Sequence, residues 1–317
     1  MKMKEFVEKV REEMCRRTGK EVITAEYVKN NGLKLQGLTV KRETGVLEPL
    51  LYLDPFYECY KESGDLKGTM EDIMACYENG LMPERPAMDW FRDYKGCVEG
   101  KLIYRLVNYE LNCEMLQDVV YERYLDLAKI YCVRCDIGEE KGTIVIHKSH
   151  LDLWKTTEEE IKEAAEKNTP ALMPVKYGRM ESFLRMVLED MMTEEEKESG
   201  SMEVWGEPVK VDDEKETEAS GMYVLTNENM VQGAAVMCYP GVLEKVAEKL
   251  NADLIILPSS VHEVLVMPLS KGEKGQEEAF ELKDMVYGIN RHVVPWEDVL
   301  SDNAYVYCKD TGETEII

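Results

Sequence analysis

The stretch LPSSVHEVLVMP, residues 257–268, holds a serine, a histidine and a glutamate beside an apolar run. A nucleophilic hydrolase uses these side-chain types: a serine, a base within hydrogen-bond distance of it, and an acid that orients the base. If residues 260–267 are extended, Ser260 and His262 share one face and Glu263 points to the other. Glu263 then cannot easily orient His262, so catalysis here requires an acid from elsewhere in the chain.

The same residues also have a structural interpretation. Pro258 ends the apolar segment DLIIL, and the hydroxyl groups of Ser259 and Ser260 can hydrogen-bond the backbone of the turn that follows. His262 then begins the next strand. The Gly-x-Ser-x-Gly turn found in many serine hydrolases is missing from this stretch. Both interpretations stay open, and the structural one explains the residues more directly.

Two cysteines and two histidines form a candidate metal site. Cys132 and Cys135 are followed, after eleven residues, by His147 and His150, which approximates a zinc site with two ligands of each type. On a strand, however, cysteines three apart face opposite ways, and the histidine spacing is short. A hairpin that turns near residues 139–140 places Cys132 opposite His147 and allows two ligands. In the alternative, Cys132 belongs to the core and the histidines cover the end of the strand.

No other motif predicts a cofactor. Carboxylates are too numerous for any pair to be singled out, and the fragment KGEKGQ lacks the preceding strand of a phosphate-binding loop. The nine cysteines are scattered and odd in number, which is typical of reduced thiols. The charged start lacks the apolar segment of a secretory signal, and no run of about 18 apolar residues could span a bilayer. We therefore expect a cytoplasmic protein without a cofactor.

The charge balance bears on the class of partner. The chain has 63 acidic and 39 basic residues, which gives a formal net charge of −24. Such a chain repels nucleic-acid phosphates and anionic membranes unless it has a local basic patch, and the densest basic clusters are short, as at Arg16 and Arg17. We therefore expect no direct nucleic-acid or membrane binding. A basic protein partner is compatible with this charge. In one form of this hypothesis, the protein imitates the charge of a nucleic acid and blocks a basic DNA- or RNA-binding protein.

Patterns of apolar and turn residues predict an α+β fold, with mixed or antiparallel sheets and flanking helices. An Asn-Asn-Gly turn at 30–32 predicts a hairpin, and the capping box of Thr157 and Glu160 predicts a helix that ends at Asn168. The C-terminal part predicts a β-β-α-β-β unit. The strands of this unit are 222–227, 233–239, 253–257 and 262–268, and its helix is 240–250. Elsewhere the predicted helices are 4–17, 69–79, 85–94 and 280–290. The remaining predicted strands are 21–27, 33–42, 50–60, 100–107, 125–135 and 142–148.

An acidic segment separates the two predicted parts. Residues 189–218 include thirteen acidic and three basic side chains, and they cannot bury enough apolar surface to offset the entropy of ordering them. We predict an N-terminal α+β region over 1–188, an acidic flexible segment over 189–219 and the C-terminal unit over 220–317. The sequence leaves open whether the two parts share one sheet.

Long stretches of the chain carry a family resemblance. They are MYVLTNENMVQGAAVMCYPGVLEKVAEKLNADLIILPSSVHEVLVMP, LKDMVYGINRHVVPWEDVLSDNAYVY and LDLAKIYCVRC. Together they closely resemble an uncharacterised bacterial family, domain of unknown function 5688. The strand-helix-strand block and PSSVHE are similar, more weakly, to domain of unknown function 1444. Neither resemblance implies an activity or catalytic residues.

Three functions from different classes follow. The first is a non-enzymatic protein that binds another macromolecule, through its acidic surface or through a sheet face rich in tyrosine, of which there are 17. The second is a hydrolase of unrecognised type that uses His262 with Ser260 or with a distant acid. The third is a metal or redox protein built on the two cysteines and two histidines named above. The missing catalytic signatures and the charge favour the first.

Overall fold

The computed structural model describes residues 1–41, 50–80, 88–137, 140–191, 221–270 and 273–317. The chain divides into two compact units. The first unit comprises residues 1–98 and 135–142, and the second comprises residues 99–134 and 143–317. Among the helices of the described ranges, none is both long enough and apolar enough to cross a membrane.

The first unit combines a small sheet with three helices. Its elements are α1 Met3–Thr18, β1 Val22–Val28, β2 Lys34–Val40, β3 Leu50–Tyr52, α2 Asp54–Ser63 and α3 Leu66–Asn79. The strands are antiparallel in the order β1-β2-β3. Asn31, between β1 and β2, has a φ of 59°, a left-handed conformation that asparagine tolerates in tight turns. The predicted hairpin is therefore confirmed.

Helix α1 covers the sheet of the first unit with one apolar stripe. Phe6, Val10 and Met14, at four-residue spacing, are fully buried in a core that also includes Leu38 of β2 and Ile73 of α3. Each such side chain contributes about 2 kcal/mol when it is fully buried. These contacts hold the helices on the sheet.

The predicted strand over residues 50–60 is only partly correct. Strand β3 ends at Tyr52, and α2 begins at Asp54. Pro55 lies in the first turn of α2, where its missing N–H has no partner to lose, and Gly64 adopts the left-handed conformation that ends the helix. The aromatic residues of this segment favour a strand. Pro55 at the start and Gly64 at the end favour a helix, and the helix forms.

The predicted helix over residues 85–94 is confirmed only in part where it can be checked. Residues 88–92 form a 3₁₀-helix, and Tyr94–Val98 form a single π-helical turn. The first residues of that prediction, 85–87, lie outside the described ranges.

A four-stranded sheet follows, consisting of β4 Leu102–Asn108, β5 Tyr121–Tyr124, β6 Leu127–Ile137 and β7 Glu140–Val145. Strand β6 is central, antiparallel to β4 on one side and to β5 on the other, and β7 also pairs with it. Val107, Ile130 and Val119 belong to one buried cluster beneath these strands. The sheet confirms the strands predicted near 100–107, 125–135 and 142–148.

The larger sheet has six antiparallel strands in the order β13-β12-β10-β11-β9-β8. Strands β9 and β10 are buried at every residue, as expected for the interior of a sheet covered on both faces. The strands are β8 Val175–Arg179, β9 Tyr223–Asn227, β10 Leu254–Leu257, β11 Val264–Pro268, β12 Tyr305–Tyr307 and β13 Thr314–Ile316. The helices of the second unit are α4 Lys148–Trp154, α5 Glu158–Leu172, α6 Met180–Met191, α7 Val242–Leu250 and α8 Glu273–His292.

Helix α5 begins as its capping box predicts. Thr157 accepts a hydrogen bond from the backbone N–H of Glu160, and Glu160 accepts one from the N–H of Thr157. The predicted end at Asn168 is wrong by one turn, because the helix continues to Leu172 with Pro170 inside it. The buried residues of this last turn, such as Thr169, pack against β4.

The predicted acidic boundary lies between two neighbouring strands of the six-stranded sheet. β8 precedes the acidic segment and β9 follows it, yet the two are paired over five residues, from Val175 with Asn227 to Arg179 with Tyr223. The two sides of the segment therefore share one sheet. Residues 189–191 end α6, and the rest of the predicted flexible segment, 192–219, lies outside the described residues.

The fold class is confirmed: helices flank antiparallel sheets in an α+β arrangement. Within the predicted β-β-α-β-β unit, the second strand is wrong, because Gly233–Cys238 form a 3₁₀-helix. Short apolar runs do not distinguish a buried strand from a buried helix by periodicity. Gln232 turns the chain just before this segment, with a left-handed φ of 55°.

Candidate functional site

The Ser-Val-His-Glu segment lies in the loop between β10 and β11. Backbone hydrogen bonds hold the loop: the N–H of Val261 donates to Asp298, and the N–H groups of Leu300 and Ser301 donate to Ser259 and Pro258. Residues 258–261 are therefore clamped along residues 298–301. Strand β11 begins at Val264, two residues after the predicted start at His262, and Ser260 forms an isolated antiparallel bridge with Val299.

Both ring nitrogens of His262 face groups of the protein. Nδ1 accepts a hydrogen bond from the backbone N–H of Gln232, at 3.3 Å, and Nε2 lies 3.3 Å from Oδ1 of Asp298. A neutral imidazole that accepts at Nδ1 carries its proton at Nε2, where Asp298 can accept it. The ring thus joins two loops and presents no lone pair to Ser260.

Ser260 and Glu263 interact with each other, which the sequence does not predict. The Ser260 side chain is buried; its Oγ accepts a hydrogen bond from the backbone N–H of His262 at 3.0 Å. Burial raises the pKa of Glu263, and a hydrogen bond with Ser260 partly opposes that shift. The predicted trio is close in space, but its hydrogen bonds differ from those of a catalytic triad, in which the imidazole faces the serine hydroxyl. A carboxylate that contacts the His262 ring is that of Asp298, 36 residues further along the chain.

The predicted metal ligands are not gathered in one cluster. Cys132 is fully buried in β6, opposite Ile103 of β4, and Cys135 is also buried. His147 pairs with Val119 instead of with Cys132, and its Nδ1 lies 2.8 Å from Oδ2 of Asp118. Within the described ranges, no three His, Cys, Asp or Glu side chains converge closely enough to hold a metal ion.

His150 is turned toward the backbone. Its Nδ1 accepts a hydrogen bond from the N–H of His147 at 3.2 Å, and its ring lies 5.4 Å from that of Trp154. Burial, followed by the charge of His147, lowers the pKa of His150. This matches the alternative in which the histidines cover the end of the strand at the start of α4.

The sequence does not predict a cleft of about 440 Å³ in the second unit. It lies between the turn at residues 309–312, the start of α7 and residues of β5, β6, β12 and β13. Two lysines, two carboxylates, a thiol and three tyrosines line it, which is a polar set for a pocket of this volume. They are Lys129, Lys309, Glu244, Asp310, Cys238, Tyr124, Tyr239 and Tyr307.

The two lysines of the cleft already have partners. Nζ of Lys129 lies 2.8 Å from Oε1 of Glu166, and only 13% of the Lys129 side chain is exposed. Nζ of Lys309 donates to Oδ1 of Asn251 at 2.9 Å. Burial lowers the pKa of Lys129, but the hydrogen bond with Glu166 and nearby negative charge outweigh burial and give a net upward shift. Lys129 is therefore an ammonium ion held by an internal carboxylate.

The thiol and the phenols of the cleft are protonated at neutral pH. Burial raises the pKa of Cys238 to about 12, although Lys129 opposes the shift. Burial also raises the pKa of Tyr124 to about 12. A thiol is nucleophilic only as the thiolate, so Cys238 is not activated for covalent catalysis. The cleft offers hydrogen-bond donors, aromatic faces and carboxylates.

The fold and these two sites define an α+β protein with a polar cleft and a histidine-linked loop. Over residues 3–309 the sequence matches a family of unknown function, domain of unknown function 5688, and the chain belongs to that family. No curated protein and no solved structure matches the chain.

Proposed function

We propose that the protein binds a basic macromolecular partner. The observation that carries the proposal is the net charge of −24, from 63 acidic and 39 basic residues. A surface of this charge attracts cationic partners over about 8 Å at physiological salt, and it repels nucleic acids and anionic membranes. A mimic of nucleic-acid charge would be one form of this function.

The protonation states of the buried groups support binding over catalysis. Cys238 is held as a thiol, Lys129 as an ammonium ion paired with Glu166, and the His262 ring is engaged at both nitrogens. None of these groups is an available base beside a nucleophile, which acyl or phosphoryl transfer requires.

Fluorescence anisotropy with labelled oligolysine and with oligoglutamate of the same length tests the proposal. We expect saturable binding of oligolysine that weakens, but persists, when salt is raised from low to physiological concentration, and no binding of oligoglutamate. An unrelated protein of equal net charge serves as the control for nonspecific attraction. Binding no tighter than that of this control would contradict the proposal.

A second candidate is a hydrolase that uses His262, with Asp298 as the acid that contacts the ring. In this hydrolase His262 would have to release the N–H of Gln232 from Nδ1 before it could act as a base. His262→Ala and Asp298→Asn would then abolish an activity found on a panel of ester, peptide and phosphate substrates. An activity that survives both substitutions would remove His262 from consideration.

A further inference from the structure

The cleft of the second unit has a definite charge preference. We infer that it binds an alkylammonium or guanidinium group, carried by a free amine or by a lysine or arginine side chain of a basic partner. The inference rests on the proposed function in one respect: it names the place where a basic partner would insert a side chain.

The charges of the cleft that have no opposite partner are negative on balance. Lys129 is paired with the carboxylate of Glu166, whereas Lys309 donates to the neutral amide of Asn251 and keeps its charge. Two carboxylates, on Glu244 and Asp310, form no hydrogen bond or ion pair with any described residue. A cation entering the cleft therefore meets two available acceptors, whereas an anion meets one uncompensated ammonium group and two carboxylates.

The aromatic lining fits the same ligand. Tyr124, Tyr239 and Tyr307 contribute rings to the cleft wall. A cation within about 6 Å of an aromatic ring is attracted to its face by about 0.5–2 kcal/mol. Lys129 shows this contact inside the protein, since its Nζ lies 5.1 Å from the centre of the Tyr104 ring.

The start of α7 does not turn the cleft into a phosphate site. Gly241, at the N-cap, and Glu244, in the first turn, both line the cleft. The carboxylate of Glu244 already occupies the position where the positive end of the helix dipole would favour an anion. A phosphate there would lie against Glu244 and near Asp310, which repel it.

The volume is sufficient for one lysine or arginine side chain or for a small amine. About 440 Å³ is within the usual range for small-molecule sites, roughly 300–1,000 Å³. The cleft therefore has room for the charged end of a partner's side chain.

Isothermal titration calorimetry with spermidine, with an oligolysine peptide and with the same peptide acetylated on its lysines tests the inference. The cleft variant is Glu244→Gln with Asp310→Asn. The matched control is Glu313→Gln with Glu315→Gln, which removes the same charge from exposed residues of the same turn and strand outside the cleft lining. Thermal unfolding of both double variants is measured first. If a double variant does not fold, its two single substitutions are tested instead.

We expect the cleft variant to weaken binding of spermidine and oligolysine by about tenfold or more, and the control variant by less than about threefold. The acetylated peptide should not bind. Equal weakening by both variants would overturn the cleft assignment and leave the proposed basic partner intact. Binding of spermidine without oligolysine would support the cleft and contradict the macromolecular partner, and no binding of either cation would overturn both.

Discussion

The backbone N–H of Tyr104, in β4, donates a hydrogen bond to Oγ1 of Thr169, in α5, at 3.1 Å. Thr169 is buried, and its hydroxyl donates in turn to the carbonyl of Ala165 at 2.6 Å. Strand β4 is at the edge of its sheet, so the Tyr104 N–H has no neighbouring strand to bond on its open side. The hydroxyl of Thr169 supplies the acceptor that this buried N–H would otherwise lack.

Thr169→Val should lower the free energy of unfolding by about 1–3 kcal/mol, because valine keeps the shape and leaves the Tyr104 N–H unsatisfied. Thr169→Ser keeps the hydroxyl and should cost less. Urea denaturation of the three proteins checks this. Equal stability of the valine and serine variants would show that the Thr169 hydroxyl contributes nothing to the free energy of unfolding.

Asp126 ties the β5–β6 turn to the segment before β12. Its carboxylate accepts hydrogen bonds from the hydroxyls of Ser301 and Tyr305, each at 2.6 Å, and from Nδ2 of Asn303 at 2.9 Å. Asp126→Ala leaves three donors without an acceptor and should cost about 3 kcal/mol of unfolding free energy. Tyr305→Phe should cost about 1 kcal/mol.

The exposed Asp284, in α8, supplies the control for that substitution. Asp284→Ala should change the unfolding free energy by less than about 0.5 kcal/mol. If Asp126→Ala were no more harmful than Asp284→Ala, the three hydrogen bonds would not stabilise the folded protein.

The sequence predicts most strands because their signals are local. The hairpin follows from one Asn-Asn-Gly turn, and β9, β10 and β11 follow from apolar runs bounded by turn residues. Two of the failures have a common cause. Residues 233–238 and 54–63 carry apolar or aromatic residues typical of strands, but each is helical because of left-handed or proline residues at its ends.

The cleft could be only partly predicted. Lys129 stands out in the sequence, because it is the one charged residue in the otherwise apolar run LAKIYCV, residues 127–133. Its partner Glu166 is 37 residues further on, and the turn at 309–312 is more distant still. The periodicity of apolar residues does not show which distant residues meet. The cleft depends on the strand order β13-β12-β10, which the sequence leaves open.

Gly233 lies close against the backbone of the His262 loop. A Cβ at this position would be 2.5 Å from the carbonyl oxygen of His262 and 2.8 Å from the backbone nitrogen of Asn227. Backbone atoms cannot move aside as a flexible side chain can. Gly233→Ala should therefore cost about 2–3 kcal/mol in unfolding free energy.

Gly100→Ala is the matched control for Gly233→Ala, since nothing lies within 4 Å of a Cβ at Gly100. It should leave stability unchanged within about 0.5 kcal/mol. Thermal or urea unfolding of both variants checks the difference, and equal effects would mean that the loop relaxes around the added methyl group.

Glu263 predicts a pH dependence of stability. Its pKa in the folded protein is raised, first by burial and further by the charge of Asp298, so the folded state favours the protonated carboxyl. The charged form then costs stability as the pH rises above the unfolded value of about 4.3 and through the folded pKa. Glu263→Gln imitates the neutral form and keeps an oxygen for Ser260. It should raise the free energy of unfolding at pH 7, and the gain should shrink towards about pH 4.

Urea denaturation at both pH values measures this gain, with the exposed Glu313→Gln as the control. A gain of the same size at both pH values, or a loss at pH 7, would show that the buried charge of Glu263 does not oppose folding.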